Sequence, residues 1–351
     1  MNPKKIHIKD GLFLTGQHDE QHWHVLLGHM VIEGDMIVYL DQKAPDLSET
    51  PQEQIQTING KHKLYMPGLV NTHGHAAMSL LRGFADDLSL QVWLEEKIWP
   101  NEAKFGDHEI DLGTRLSIVE MIKGGTTSFV DMYDRMDVVA QAVDESGMRG
   151  CLAQGMIGFG SEQELRQKLA AAKKFAEDWH GKADDRITTM MSPHAPYTCT
   201  PEFISSIIDA AEERNLPIHI HMSETSFEVA ENVERYGQRP VAHLRDIGVF
   251  DRPCLVAHAV HLTPEEIQIL KKYDVRVSHN PGSNLKLASG IALVPQLLDA
   301  GVKVSLGTDS SASNNNLDMF EEIRLAALLH KGVSGDPTAV PAETAIKLGA
   351  V

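Results

Sequence analysis

The rhythm of apolar positions changes near residue 64. Before it, IHIKDGLFLTG and HVLLGHMVIEGDMIVYL are short apolar runs broken by turn residues, the pattern of hairpin-like strands. From Leu64 onward the apolar runs LYMPGLV, TTSFVDMY, GCLAQGM, ITTMMSPHA, IHIHMSE, CLVAHAV, VRVSHNP and VKVSLGTDS alternate with helix-like segments. Those segments fall at 107–123, 135–147, 161–179, 201–214, 226–247, 263–272 and 290–300. Apolar strands alternating with helices imply a parallel sheet covered by helices. Eight such runs favour a closed ring of strands over an open sheet. The absence of GxGxxG after the first strand also counts against an open, doubly wound sheet. The expected fold class is α/β: a small N-terminal β-sandwich-like domain over 1–63 and a (β/α)8 TIM barrel over 64–351.

Polar residues on this pattern gather at the C-terminal ends of the strands. His73 and His75 follow the first strand of the barrel, His194 closes the fourth, His221 and Glu224 end the fifth, His258 sits late in the sixth and Asp309 ends the eighth. In a barrel these ends share one rim, where active sites form. Two residues apart in an extended chain, His73 and His75 point to one side and can grip one ion. An H-x-H pair alone is weak: with 18 His in 351 residues, about one is expected by chance. His22/His24, in the polar stretch QHDEQHWH, reads as a surface pair. Of His219 and His221, only His221 has an acid three residues on, so His219 is expected to pack behind the ligands. His73, His75, His221 and Asp309 would give three imidazoles and one carboxylate. That set suits one divalent metal per chain, Zn before Fe or Mn.

Composition narrows the partners. A net charge of -17, from 32 Lys+Arg against 49 Asp+Glu, argues against nucleic acid or an anionic membrane. The start MNPKKIHIKD has no apolar signal-peptide core, and no apolar run is long enough to span a bilayer, so the cytoplasm is the expected location. Cys151, Cys199 and Cys254 are too few and too scattered for a disulfide framework or a CxxC metal site.

The motifs PGLVNTHGHAAMSLLRGFADDLSLQVWLEEKIWPNEAKF, IHIHMSET, VAHAVH, SHNPGSNLKLASGIA and SLGTDSSASNN resemble the amidohydrolase superfamily from about Leu64 to Val351. Within it they look most like the 5-methylthioadenosine/S-adenosylhomocysteine deaminases and the related triazine hydrolases. The resemblance implies that His73, His75, His221 and Asp309 bind one Zn, that Glu224 shuttles protons and that His258 supports the nucleophilic water. It further implies that Glu102 binds ribose hydroxyls and that His194 contacts substrate; the plainer reading of Glu102 is a solvated acid at a helix start. A small-molecule nucleoside is the expected ligand and a homo-oligomer the expected assembly.

Two departures from the family pattern stand out. Where family members often carry an Arg for the substrate's amino-acid carboxylate this chain has Gln154, with Arg166 and Lys168 as nearby cations able to substitute. This favours methylthioadenosine or adenosine over S-adenosylhomocysteine. Family chains also continue past KLGAV, so the small domain is expected to lack its C-terminal strands. The implied reaction is hydrolytic deamination at purine C6. Asp309 takes the proton of the attacking water, Glu224 protonates the neighbouring ring nitrogen, and His258 stabilises developing charge. Rival readings are a halotriazine hydrolase or guanine deaminase on the same metal set, and a non-catalytic metal-binding or assembly subunit. A binuclear cyclic-amide hydrolase is disfavoured because ITTMMSPHA has no Lys to carboxylate.

Overall fold

The computed structural model describes residues 5–18 and 23–350, and the chain divides into two compact units between Gly68 and Leu69. The N-terminal unit is one five-stranded mixed sheet. Its strands are β1 (Lys5–His18), β2 (Trp23–Glu33), β3 (Met36–Asp41), β4 (Ile55–Asn59) and β5 (Leu64–Tyr65), in the order β3-β2-β1-β4, with β5 also on β1. The hairpin pattern read from the sequence appears as antiparallel β1–β2 and β2–β3 pairs, while β4 and β5 join β1 in parallel. Ile8, Phe13 and Val31 are buried, the alternation along β1 being reset by the irregularity between Ile8 and Gly11, and the Phe13 ring stacks on Tyr65 at 5.1 Å. His24 is exposed; its expected partner His22 lies outside the described residues.

The run LYMPGLV is not one strand. Leu64–Tyr65 pairs with Leu12–Phe13 in the small sheet, Pro67 and Gly68 interrupt, and Leu69–Asn71 (β6) begins the second unit. That unit continues with β7 (Thr126–Tyr133), β8 (Arg149–Met156), β9 (Ile187–Thr189), β10 (Ser192–Pro193), β11 (Ile218–Met222), β12 (Cys254–His258), β13 (Arg276–His279) and β14 (Val304–Leu306). All its pairings are parallel, in two sheets: β10-β8-β7-β6 with β9 on β8, and β11-β12-β13-β14. Met191 bridges in parallel to Ile218, and the Thr72 amide donates to the Leu306 carbonyl at 3.0 Å.

Helices connect successive strands and bury their apolar faces. Ile204, Ile207 and Ala211 of helix Pro201–Glu213 pack with Ile218 and Ile220 of β11 and Val256 of β12. The pattern at 226–247 predicted one helix, but the structure has two, Ser226–Tyr236 and Pro240–Asp246. Gly237 ends the first in the left-handed region (φ +68) and Pro240 opens the second, so local chain chemistry overrides the apolar periodicity. All three cysteines are free. No helix among the described residues is long and apolar enough to cross a membrane.

Candidate active site

The first strand of the second unit delivers two imidazoles because its end is tied down on both sides. The Asn71 side chain exchanges hydrogen bonds with Thr308, donating to its hydroxyl at 2.8 Å and accepting from its amide at 2.9 Å. The Asp309 amide donates to the His73 carbonyl at 3.0 Å. A side chain at Gly307 would place its Cβ 2.8 Å from the His73 amide nitrogen, so only glycine allows this approach. Asp309 itself sits at φ +60, in the left-handed region.

Ring protonation follows from hydrogen-bond partners. Carbonyls only accept, so the Nδ1 of His75 donates to Met132 O, that of His221 to His194 O at 2.7 Å, and that of His219 to Leu255 O at 2.9 Å. The His219 Nε2 is then a lone pair, and the His73 Nδ1 donates to it at 2.9 Å. As neutral rings His73, His75 and His221 would all present Nε2 lone pairs; for His75, burial is outweighed by Asp309, which pushes the ring up to about 9, so a metal would displace its Nε2 proton. The ligand atoms of these three residues lie within 4.8 Å of one another, as do those of His73, His258 and Asp309. Asp309 Oδ1 is 3.6 Å from His73 Nε2 and 3.3 Å from His75 Nε2. The fully buried His73 Nε2 has no hydrogen-bond partner. A buried lone pair so placed calls for a partner, and a divalent cation held by imidazoles and a carboxylate satisfies it. The residues therefore fit a divalent metal site.

Glu224 and His258 lie beside this cluster. His258 donates from Nδ1 to Asn284 Oδ1 at 2.8 Å, and its Nε2 is 3.6 Å from Glu224 Oε2 and 3.9 Å from Asp309 Oδ2. Ser283 donates to Asp309 Oδ2 at 2.6 Å, and Ser289 to Glu224 Oε1 at 3.3 Å. Burial pushes the Glu224 carboxyl above the usual carboxylate range, with His258 pulling the other way. A shift in that direction favours the protonated form and suits a carboxyl that passes a proton to a substrate nitrogen.

These groups open into a cavity of about 570 Å³. Its apolar wall includes Leu90, Trp93, Leu94 and Trp99, and its polar positions include Glu102 and His194. Glu102 is half-buried at the end of the short helix Trp99–Glu102 and accepts a hydrogen bond from Tyr133 at 2.5 Å. Burial raises its pKa while the Tyr133 bond opposes the rise, so it is not the solvated acid of the plainer reading. His194 donates or accepts with Thr198 at 2.9 Å, and burial pushes it down to about 3, leaving it neutral. Gln154 lines the cavity but its amide is engaged, donating to Asp134 at 2.8 Å and accepting from the Met136 amide at 3.3 Å. Lys168 also lines it, donating to the Ile157 and Phe159 carbonyls at 2.8 Å each, whereas Arg166 points to solvent and pairs with Glu162. Tyr133 and Arg135, which sequence reasoning passed over, reach the cavity from the end of β7. The run of polar residues DMYDR closing an apolar strand was the available signal.

The amidohydrolase family model matches residues 64–349. A 5-methylthioadenosine/S-adenosylhomocysteine deaminase of Halalkalibacterium halodurans is 49% identical over 344 residues, covering 97% of this chain and 78% of that protein. Among solved structures, a zinc-bound adenosine deaminase from Xanthomonas campestris superposes with a TM-score of 0.86 at 36% identity, covering 99% of this chain and 78% of that one. A guanine deaminase from C. acetobutylicum superposes with a TM-score of 0.89 at 21% identity, over 98% of this chain and 84% of that one, a likeness of fold.

Proposed function

This chain belongs to the amidohydrolase family, and from that premise we propose that it deaminates an adenine nucleoside, releasing ammonia and leaving the inosine-type product. The observation that carries the reading is the juxtaposition of the Nε2-presenting histidine cluster with the buried Glu224 carboxyl in one cavity that also holds Glu102. The names of the relatives add support, since both the Halalkalibacterium and Xanthomonas proteins are deaminases of adenine-containing nucleosides by description. We also infer that the two parallel sheets of residues 69–350 form one (β/α)8 barrel, supported by the Met191–Ile218 bridge and the Thr72–Leu306 hydrogen bond. The five-stranded N-terminal sheet is read as part of a small sandwich-like unit.

His73, His75, His221 and Asp309 would hold the metal, with Zn favoured by three imidazoles and one carboxylate. When bound, a divalent ion supplies a Lewis-acid charge that makes water nucleophilic near neutral pH. Asp309, its Oδ2 held by Ser283, accepts the proton of the attacking water. Glu224, whose pKa burial raises, donates a proton to the purine nitrogen next to C6 and then relays a proton to the leaving amine. His258, oriented by Asn284, stabilises charge building at C6. Glu102, fixed by Tyr133, accepts from ribose hydroxyls, and His194 contacts the bound nucleoside. The apolar wall around Trp93 and Leu94 excludes water from the base.

The test is ammonia release from adenosine, methylthioadenosine, S-adenosylhomocysteine, guanine and a halotriazine, with metal content measured on the same sample. Turnover of adenine nucleosides, lost on chelation and restored by Zn, is expected. Turnover of guanine or the triazine without any adenine nucleoside would overturn the proposal.

A further inference from the structure

We propose that Glu228 is a positioning residue for the deamination, its carboxylate fixing the backbone turn from which Glu224 reaches the substrate; this rests on the role given to Glu224 above. Glu228 is the third residue of helix Ser226–Tyr236, and its amide donates to the Thr225 hydroxyl at 3.1 Å. A glutamate at that place commonly turns back to the amide of the N-cap residue itself. Here it reaches further. One carboxylate oxygen accepts from the Ser223 amide at 2.7 Å and the other from the Glu224 amide at 2.8 Å. Glu228 is fully buried, although an exposed side chain would cap the helix as well. Burying a carboxylate costs free energy, so the cap alone does not account for its placement.

The turn it holds needs holding. Ser223 lies at φ +53, a conformation that a residue with a side chain adopts under constraint. From the opposite side, the Ser223 carbonyl accepts from the Val260 and His261 amides at 3.0 and 2.9 Å. Those amides follow His258, itself at φ +74. The strand ends carrying Glu224 and His258 are thus tied together through one residue, with Glu228 closing the other side. This sets the 3.6 Å separation between Glu224 Oε2 and His258 Nε2. Displacement of a reacting group by about 1 Å commonly costs about a hundredfold in rate.

The experiment compares Glu228→Gln and Glu228→Asp in the full chain, with Ser146→Ala as a control that removes the hydrogen bonds of a hydroxyl that does not line the cavity. Gln keeps the shape but offers one acceptor instead of two, and Asp keeps the charge but falls short of the amides. Both should lower kcat about 10- to 100-fold, leave KM within about twofold and leave metal content unchanged. The control should lose Tm and keep kcat. In a Glu224→Gln background, adding Glu228→Gln should lower the residual rate by less than about twofold, because the group being positioned is gone. A purely structural role would multiply the two losses. Near-normal kcat in a folded Glu228 variant, multiplicative losses, or failure of both variants to fold would each overturn the positioning role. If Glu224→Gln alone keeps its kcat, the role of Glu224 fails instead, a result separable from every Glu228 outcome.

Discussion

His73 and His219 are both buried histidines 2.9 Å apart, and one proton separates their tasks. Because Leu255 O fixes the proton of His219 on Nδ1, His219 must accept from His73, and His73 must present a lone pair to the cluster. His219→Leu should therefore lower metal affinity about 10- to 100-fold with little change in fold, read by competition with a chromogenic chelator. His221→Ala should lower occupancy more sharply, since it removes a ligand outright, and retention of full metal content would exclude His221. Glu224→Gln should keep the metal and lose about 10²–10⁴ in kcat; a near-normal rate would remove it from the mechanism. At this scale the sequence was informative where a residue's position in a strand decided its direction. His73, His75, His221, His258 and Asp309 fall at strand ends by pattern, and the structure brings their polar atoms together. That His219 sits behind the ligands was legible from the acid it lacks three residues on; which ligand it holds was not, because that ring is 146 positions away in the chain.

Secondary elements meet the site through carboxylates that hold turns. Glu322, buried on helix Met319–Ser334, accepts from the Gly282 amide at 3.0 Å and from Asn314 at 2.7 Å, one residue from the Ser283 that holds Asp309. Burial pushes it up to about 8. Its native pKa lies above the unfolded value, so the native state keeps a proton that the unfolded chain gives up. The associated stability is fully present below about pH 4.3 and is lost as pH rises through about 8. The unfolding free energy of the native chain relative to Glu322→Gln, from denaturant melts, should therefore fall between pH 5 and pH 8.5 by an amount on the order of a few kcal/mol. A flat difference would mean that Glu322 titrates alike in both states. Element boundaries were legible where caps are explicit: the pattern predicted 161–179, and the helix capped by Ser161 runs Glu162–Trp179. They were not where a strand run crosses between units, as at Met66–Gly68, since local hydrophobicity does not say which sheet a residue joins. Nor did the sequence pattern reveal the helical segment Leu90–Glu102 that lines the cavity, because its apolar residues interrupt the strand–helix alternation without a strand of their own.

For the molecule as a whole, the choice among nucleosides depends on which cations the cavity can spare. The chain carries a net charge of -17, and Glu102, Asp134, Glu224 and Asp309 all line the cavity, so an anionic substrate tail needs a local counter-charge. Gln154 cannot supply one: it is neutral and already bonded to Asp134 and Met136. Lys168 is tied to two carbonyls, and a new partner would leave both short of a donor. Arg135 differs, because its bond is an ion pair to the largely exposed Asp107 and such pairs contribute little. Methylthioadenosine or adenosine should therefore be preferred over S-adenosylhomocysteine by tens of fold in kcat/KM, on the order of 1–2 kcal/mol. What S-adenosylhomocysteine turnover exists should depend on Arg135. Arg135→Ala should depress kcat/KM for that substrate and leave methylthioadenosine within about twofold, while Gln154→Arg should narrow the ratio by offering a bidentate partner. The measurement is the kcat/KM ratio of the two substrates in the native chain and both variants. A native preference for S-adenosylhomocysteine would overturn the charge argument. An unchanged ratio in Arg135→Ala would remove Arg135 from it, leaving Lys168 as the cation to test, by Lys168→Met, because it is the other basic side chain that lines the cavity.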